Sequence, residues 1–290
     1  MMKTSLFGGF SGYLDTLGLE EGVRFVKSFG VDGGEMFPCK SVDTIEAARD
    51  LREILKAEGM TCPCFSVCID LSEKDETNAM NAIRHYIDLA AEIGAPYIHH
   101  TLIPSLHHPH FGAPTFDEVF DEVVRRAQII CDYAADKGIT CLYEDQGYYF
   151  NGADRFERYL TALKRENTGV CADFGNIYFV DEEPADFIGR FTGVIHHVHV
   201  KDYLRKVGTW PGEGWYMSRG GAWLRDTTIG HGVIDFEKSL RILASIGYDG
   251  YFSLESGSPE EFVESNRRGL ANLKRFYENA VRDTRNIKGI

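Results

Sequence analysis

The sequence predicts an α/β fold, a single (β/α)8 TIM barrel, and three observations predict it. Short apolar runs rich in β-branched and aromatic residues alternate with longer amphipathic segments from one end of the chain to the other, which is the pattern of a parallel sheet with helical crossovers. Eight such runs are present, the number that closes a barrel. No Pro/Ser-rich linker or shift in composition divides the 290 residues, so one domain over 1–290 is expected. An open doubly wound sheet is the competing arrangement, but no Gly-x-Gly-x-x-Gly loop follows the first strand to favour it.

The strands are expected over residues 4–7, 33–37, 61–69, 97–101, 140–144, 169–173, 194–200 and 251–255. Helical patterns lie between them at 44–58, 76–93, 116–137, 153–165, 236–246 and 259–282. Gly59, Gly94, Gly138 and Gly247 stand where helix C-terminal glycines belong. Residues 201–228 show no clear period and hold Trp210, Trp215 and Trp223. That stretch is expected to be a long loop, either a cover over substrate or surface padding.

Composition bounds the function. A hydrophobic share of 43% with 26% charged residues is that of a globular protein with a sizeable core. The 44 acidic against 31 basic side chains give a net charge of −13, which opposes generic binding to nucleic acid or to anionic membranes. A small neutral or cationic ligand, or a metal complex, fits better. No apolar run reaches the roughly 18 residues that span a bilayer, and residues 1–12 lack the pattern of a secretory leader. Seven cysteines, an odd number, suggest reduced thiols, and a cytoplasmic location is expected. Cys62, Cys64 and Cys68 would share one face of a strand, and without a second cluster at zinc spacing they read as buried, inert thiols.

In a closed barrel the active site lies at the carboxyl ends of the strands. The last four predicted strands each finish on or near a ligand type: Glu144, Asp173, His199 and Glu255. Three carboxylates brought together repel one another unless a cation neutralises them. Three carboxylate oxygens and an imidazole form a mixed hard and borderline donor set, suited to one divalent ion. Mn²⁺ is favoured, with Mg²⁺, Co²⁺ and Zn²⁺ as alternatives.

Around these residues the sequence resembles the sugar isomerase and epimerase superfamily that includes xylose isomerase, ketose 3-epimerases, inosose dehydratase and the abasic-site endonucleases. The pieces that carry the likeness are Tyr143-Glu144-Asp145, the run from Cys171 to Asn176, the run from His197 to Asp202, the run from Gly230 to Phe236, and Ser253-Leu254-Glu255. The resemblance implies a xylose isomerase-like barrel and a metal held by Glu144, Asp173, His199 and Glu255. It also implies Glu144 and Glu255 as the acid and base that move a proton beside a carbonyl through an enediolate. Asn176 stands where ketose epimerases carry a histidine, and Phe150 where they carry a substrate-binding glutamate. These departures argue against ketose 3-epimerisation in particular and leave proton abstraction intact. Arg205 matches a substrate-contacting arginine.

Further substrate contacts are expected from Asn176, Lys201 and His100, the last because alternation lets only one of His99 and His100 face inward. For Lys201 an ion pair with Asp202 is the competing account. His107, His108 and His110 read as exposed loop histidines, His231 as part of a turn, and Glu35 as an orienting group. The expected function is a metal-dependent isomerase or epimerase of a sugar or polyol ketone. The alternative is a dehydratase or β-eliminating lyase on an inosose, keto-sugar or keto-glycoside. An abasic-site endonuclease and a noncatalytic binding barrel are further removed. The expected partner is thus a small molecule, and the resemblance leaves homo-oligomer formation open.

Overall fold

The computed structural model describes residues 2–256 and 261–288. In chain order its elements are β1 (Lys3–Leu6), α1 (Gly9–Leu17), α2 (Leu19–Lys27), β2 (Gly33–Gly34), α3 (Ile45–Glu58), β3 (Phe65–Val67), α4 (Glu76–Ile93), β4 (Tyr97–His100), α5 (Phe116–Ala135), β5 (Thr140–Glu144), α6 (Ala153–Leu163), β6 (Thr168–Asp173), α7 (Pro184–Phe191), β7 (Ile195–Val200), β8 (Asp202–Lys206), β9 (Tyr216–Met217), β10 (Trp223–Thr227), α8 (Phe236–Ser245), β11 (Tyr251–Leu254) and α9 (Phe262–Lys288).

Eight strands make one parallel sheet in the order β2, β1, β11, β7, β6, β5, β4, β3. Parallel bridges from Gly33 to Thr61 and from Met36 to Phe65 join its two ends, closing the sheet into a (β/α)8 barrel. The seam is thin for a local reason. Pro63 has no N–H for the ladder, so of the expected strand over 61–69 only Phe65–Val67 persists. Gly33 sits so close to the neighbouring chain that a Cβ there would lie 2.7 Å from the Thr61 carbonyl oxygen.

The outer helices follow their terminal chemistry. Thr44 caps α3 by accepting from the Ala47 N–H, Asp75 caps α4 through Thr77, and Thr115 with Glu118 forms a capping box on α5. Gly59, Gly94, Gly138 and Gly247 all have positive φ at or just past helix ends. Buried apolar side chains such as Leu51 and Leu55 on α3, or Ile83 and Ile87 on α4, point at the barrel. Each contributes about 1.5–3 kcal/mol by leaving water.

Four further stretches differ from the sequence reading. The first crossover, assigned no helix, is the pair α1 and α2 broken at Gly18, and α7 was likewise not assigned. The last helix begins at Phe262 rather than 259, and Pro259 lies outside the described residues. Residues 201–228 are not an irregular loop: β8, β10 and β9 pair antiparallel into a small second sheet. Its strands are only two to five residues long and leave Leu204, Tyr216 and Met217 exposed, so neither alternation nor an apolar run marks them. Among the described residues no helix is long and apolar enough to cross a membrane.

Candidate functional site

Strand register brings the late strand ends level. Glu144 on β5 pairs with Cys171, Asp173 on β6 with His199, and His199 on β7 with Ser253. Opposite the step from Val170 to Cys171 the register shifts by one residue on β7, from Ile195 to His197, so that His196 is skipped. Glu144, Asp173, His199 and Glu255 each offer a ligand atom, and these atoms lie within 4.8 Å of one another. His199 Nδ1 is 2.6 Å from Glu144 Oε1 and 3.2 Å from Glu255 Oε2.

The electrostatics of this quartet call for positive charge. Burial, aided by Glu144 and Glu255 and opposed by Lys201, pushes the Asp173 carboxyl up to about 7. For Glu144 burial also opposes ionisation, yet His199 above all, with Lys201, outweighs it and holds the group at about 2. Lys201 Nζ lies 2.7 Å from Glu255 Oε1, 3.4 Å from Asp173 Oδ2 and 3.1 Å from Asn176 Oδ1. One ammonium therefore faces two carboxylates and an amide oxygen. Asp173 Oδ2 and Glu255 Oε2 are buried without a hydrogen-bond partner, while Asp173 Oδ1 is occupied by the N–H groups of Gly175 and Asn176. Free carboxylate oxygens aimed at one point beside an imidazole fit a divalent cation.

Glu35, just past β2, holds the imidazole from the other side. Its Oε1 accepts from His199 Nε2 at 2.9 Å and from Ser66 Oγ at 2.6 Å, and its Oε2 accepts from His197 Nε2 at 2.7 Å. A carboxylate only accepts, so Nε2 of His199 donates to Glu35, and Nδ1, 2.6 Å from Glu144 Oε1, carries the proton that a cation held at this position would displace. Burial disfavours the charge on Glu35, but His199 and His197 hold its pKa well below the ordinary carboxylate value. Phe7 stacks on the His199 ring at 4.8 Å and 10°, which fixes the ring plane.

Glu144 and Glu255 of the quartet line a cavity of about 510 Å³. Phe7, Phe37 and Phe179 make its apolar wall, and His99, Asn176 and Lys201 supply polar atoms. The small second sheet contributes Tyr203, Tyr216 and Asp226 to the wall. The tryptophans of that segment do not line the cavity: Trp210 is 61% exposed and Trp223 donates to the Gly208 carbonyl.

Several expectations change. His100 does not face the pocket: it packs edge-on against Tyr143, its Nδ1 pairs with the Thr101 carbonyl, and burial pushes its pKa down to about 4. His99, in register with Ser66, takes the inward position. Arg205 lies on β8, 3.6 Å from Asp181 and 42% exposed, and does not line the cavity. Lys201 pairs with Glu255 and Asp173 rather than with Asp202. Asp202 instead accepts the N–H groups of Tyr203, Gly230, Gly232 and Ile234. A Cβ at Gly232 would collide with that carboxylate, so these two motifs are one structural clasp. Phe150 is buried against Phe116, Phe120 and Tyr159. Cys62 and Cys64 are buried, but Cys68 is exposed and lines the cavity. His107, His108 and His110 are exposed, as expected, and His231, in its turn, is exposed too and does not line the cavity.

Comparison with known proteins agrees with this barrel. Residues 23–276 match the family model described as xylose isomerase-like TIM barrel. An inosose dehydratase of Bacillus cereus (strain AH820) is 26% identical over 239 residues, 78% of this chain and 77% of the relative. The structure of an L-ribulose 3-epimerase superposes with a TM-score of 0.77 at 17% identity, covering 99% of this chain and 98% of that one. A xylose isomerase-like TIM barrel protein from Mycobacterium smegmatis in complex with magnesium superposes with a TM-score of 0.74 at 16% identity, covering 97% and 98%.

Proposed function

The chain belongs to the xylose isomerase-like TIM barrel family, and from that premise we propose that it is a divalent-metal-dependent isomerase or epimerase of a sugar or related polyol ketone. The observation that carries this reading is the convergence of Glu144, Asp173, His199 and Glu255 within 4.8 Å at the carboxyl ends of the strands. A divalent cation held by these four, Mn²⁺ by preference, would polarise a carbonyl and its neighbouring hydroxyl and so lower the cost of removing the proton between them.

The chain's own groups supply the rest. Glu144 and Glu255 come from β5 and β11, with β6 and β7 between them, so they flank the site from opposite sides. Glu144, held ionised, takes the α-proton, and Glu255 delivers one to the other face or the adjacent atom. The unpaired Nδ2 of Asn176 is a donor for a substrate oxygen, and Lys201 Nζ reaches one by giving up one of its contacts to Glu255, Asp173 or Asn176. Neither His100 nor Arg205 belongs to the proposed substrate contacts. The net charge of −13 supports a small-molecule substrate over nucleic acid, and seven free cysteines support work in the cytoplasm.

A lyase is the second reading, favoured by the inosose dehydratase relative. There Glu144 takes the same proton, the electron pair forms the new C=C bond, and the β-hydroxyl leaves as water after gaining a proton from Glu255 or Lys201. One experiment decides among the outcomes: ketoses, inososes and 3-keto-glycosides are incubated in heavy water with Mn²⁺, with Mg²⁺, or after chelation. Metal-dependent deuterium exchange without loss of water or aglycone supports the isomerase, and metal-dependent elimination supports the lyase. Neither event with any member of the panel would sink both.

A further inference from the structure

The role of His99 follows from a proton count. Its Nδ1 lies 3.0 Å from Ser66 Oγ, and the same oxygen lies 2.6 Å from Glu35 Oε1. Ser66 has one hydroxyl proton, and a carboxylate only accepts. That proton therefore goes to Glu35, and Ser66 can serve His99 only as an acceptor. Nδ1 of His99 must carry the ring proton, which leaves a lone pair on Nε2.

The His99 side chain lines the cavity. Nε2 is buried and has no hydrogen-bond partner. Its near neighbour, Glu144 Oε2, is 3.6 Å away and is itself an acceptor. The nearby ammonium of Lys201 is engaged by Glu255, Asn176 and Asp173. The ring is held in place by an edge-on contact with His199 at 5.4 Å and 83°. A buried acceptor without a donor is costly, and a polyol brings the O–H that the protein does not.

We propose that His99 Nε2 is a substrate-binding acceptor, taking a hydrogen bond from a sugar hydroxyl beyond the pair that the cation holds, with its tautomer fixed by Ser66 and Glu35. This rests on the sugar reading given above. It makes His99 a specificity residue: a ketone with a hydroxyl at that carbon binds, and its deoxy analogue leaves the lone pair unsatisfied. Ser66 and Glu35 are positioning residues that act through the ring.

Imidazole ¹⁵N chemical shifts, which report the protonation of each ring nitrogen, test this on histidine-labelled protein, first metal-free and then with Mg²⁺. His99 is expected to be protonated on Nδ1 alone, and Ser66→Ala is expected to move the proton to Nε2. A wild-type ring protonated on Nε2, or on both nitrogens, overturns the proposal, as does an unchanged tautomer in Ser66→Ala. A shift showing Nε2 bound directly to Mg²⁺ overturns it as well. Saturating inosose or L-ribulose, whichever binds, should move the Nε2 resonance, and Ser66→Ala should raise KM about tenfold with a smaller change in kcat. An unmoved Nε2 under saturation overturns the contact. If neither these two nor any other sugar of the panel saturates, the sugar reading fails and the contact falls with it, a result told apart by a tautomer that remains as expected.

Discussion

Strands β5, β6, β7 and β11 deliver the charged atoms that meet at the cavity, whereas β1 to β4 deliver the groups that hold those atoms in position. His199 shows the division on one ring, since Nδ1 faces Glu144 and Glu255 while Nε2 is held by Glu35 from the opposite side of the barrel. The late half bears carboxylates that crowd together and are faced by Lys201 and His199. The early half bears a fully buried carboxylate whose hydrogen bonds run to His197, His199 and Ser66. Closing the sheet is therefore part of the chemistry, because only a closed barrel puts Glu35 behind His199.

The largest expected effect lies in the late half. Glu144→Gln and Glu255→Gln should each lower kcat by about 10³-fold, the scale of a lost acid or base. Metal content, measured on the same samples by elemental analysis, separates lost chemistry from lost cation. Near-normal turnover with metal bound would remove both glutamates from the proposed proton transfers and leave the late half with binding alone.

The inner and outer faces of β4 provide the second contrast. His100 is buried against Tyr143 and its pKa is pushed down from 6.5 to about 4. The folded state thus binds fewer protons than the unfolded chain between those values. Its contribution is fully present above pH 6.5 and is lost as the pH falls toward 4, amounting to about 3 kcal/mol for this group. Urea unfolding from pH 7 to 4 should show the loss, and His100→Phe should flatten it. Parallel curves for the two proteins would assign the acid sensitivity elsewhere.

This same pair of histidines marks where the sequence was legible. Glu144, Asp173, His199 and Glu255 could be found because each ends a run with clear β character, and the four βα units repeat one arrangement. Around β2 and β3 the runs are short and broken by Pro63, so no period tells which residues point inward. Glu35 was visible as a strand-end carboxylate, but not its three partners. Ser66 carried no signal at all, and the choice between His99 and His100 needed the register with Ser66. The second sheet was missed because strands of two to five residues have too little length to show alternation. Asp202 and Gly232 were recognised as motif residues, but their mutual contact joins positions 30 residues apart.

A third test asks how far the early half supports the late one. Glu35→Gln removes the charge that fixes the His199 tautomer and should weaken Mn²⁺ binding by about 10–100-fold, the scale found when an outer partner of a ligand histidine is lost. Calorimetric titration with Mn²⁺ measures it. Unchanged affinity would mean that the two halves are independent and that packing against Phe7 suffices to orient the ring.

The smallest effect guards the interpretation of the third. Early-half support could act through general rigidity rather than through the bonds of Glu35, and α3, the helix that follows β2, allows the two to be separated. Thr44 caps that helix by accepting from the Ala47 N–H at 3.1 Å and touches nothing in the cavity. Removing the cap in Thr44→Ala should cost about 1 kcal/mol of stability, read as a lower urea midpoint with an unchanged slope. Mn²⁺ affinity should stay at the wild-type value, because the hydrogen bonds from Glu35 to His199, His197 and Ser66 are untouched. If affinity fell in Thr44→Ala as it does in Glu35→Gln, loosening of the whole early half would explain both variants. A stable site on a weakened helix would instead assign the orientation of His199 to the carboxylate behind it.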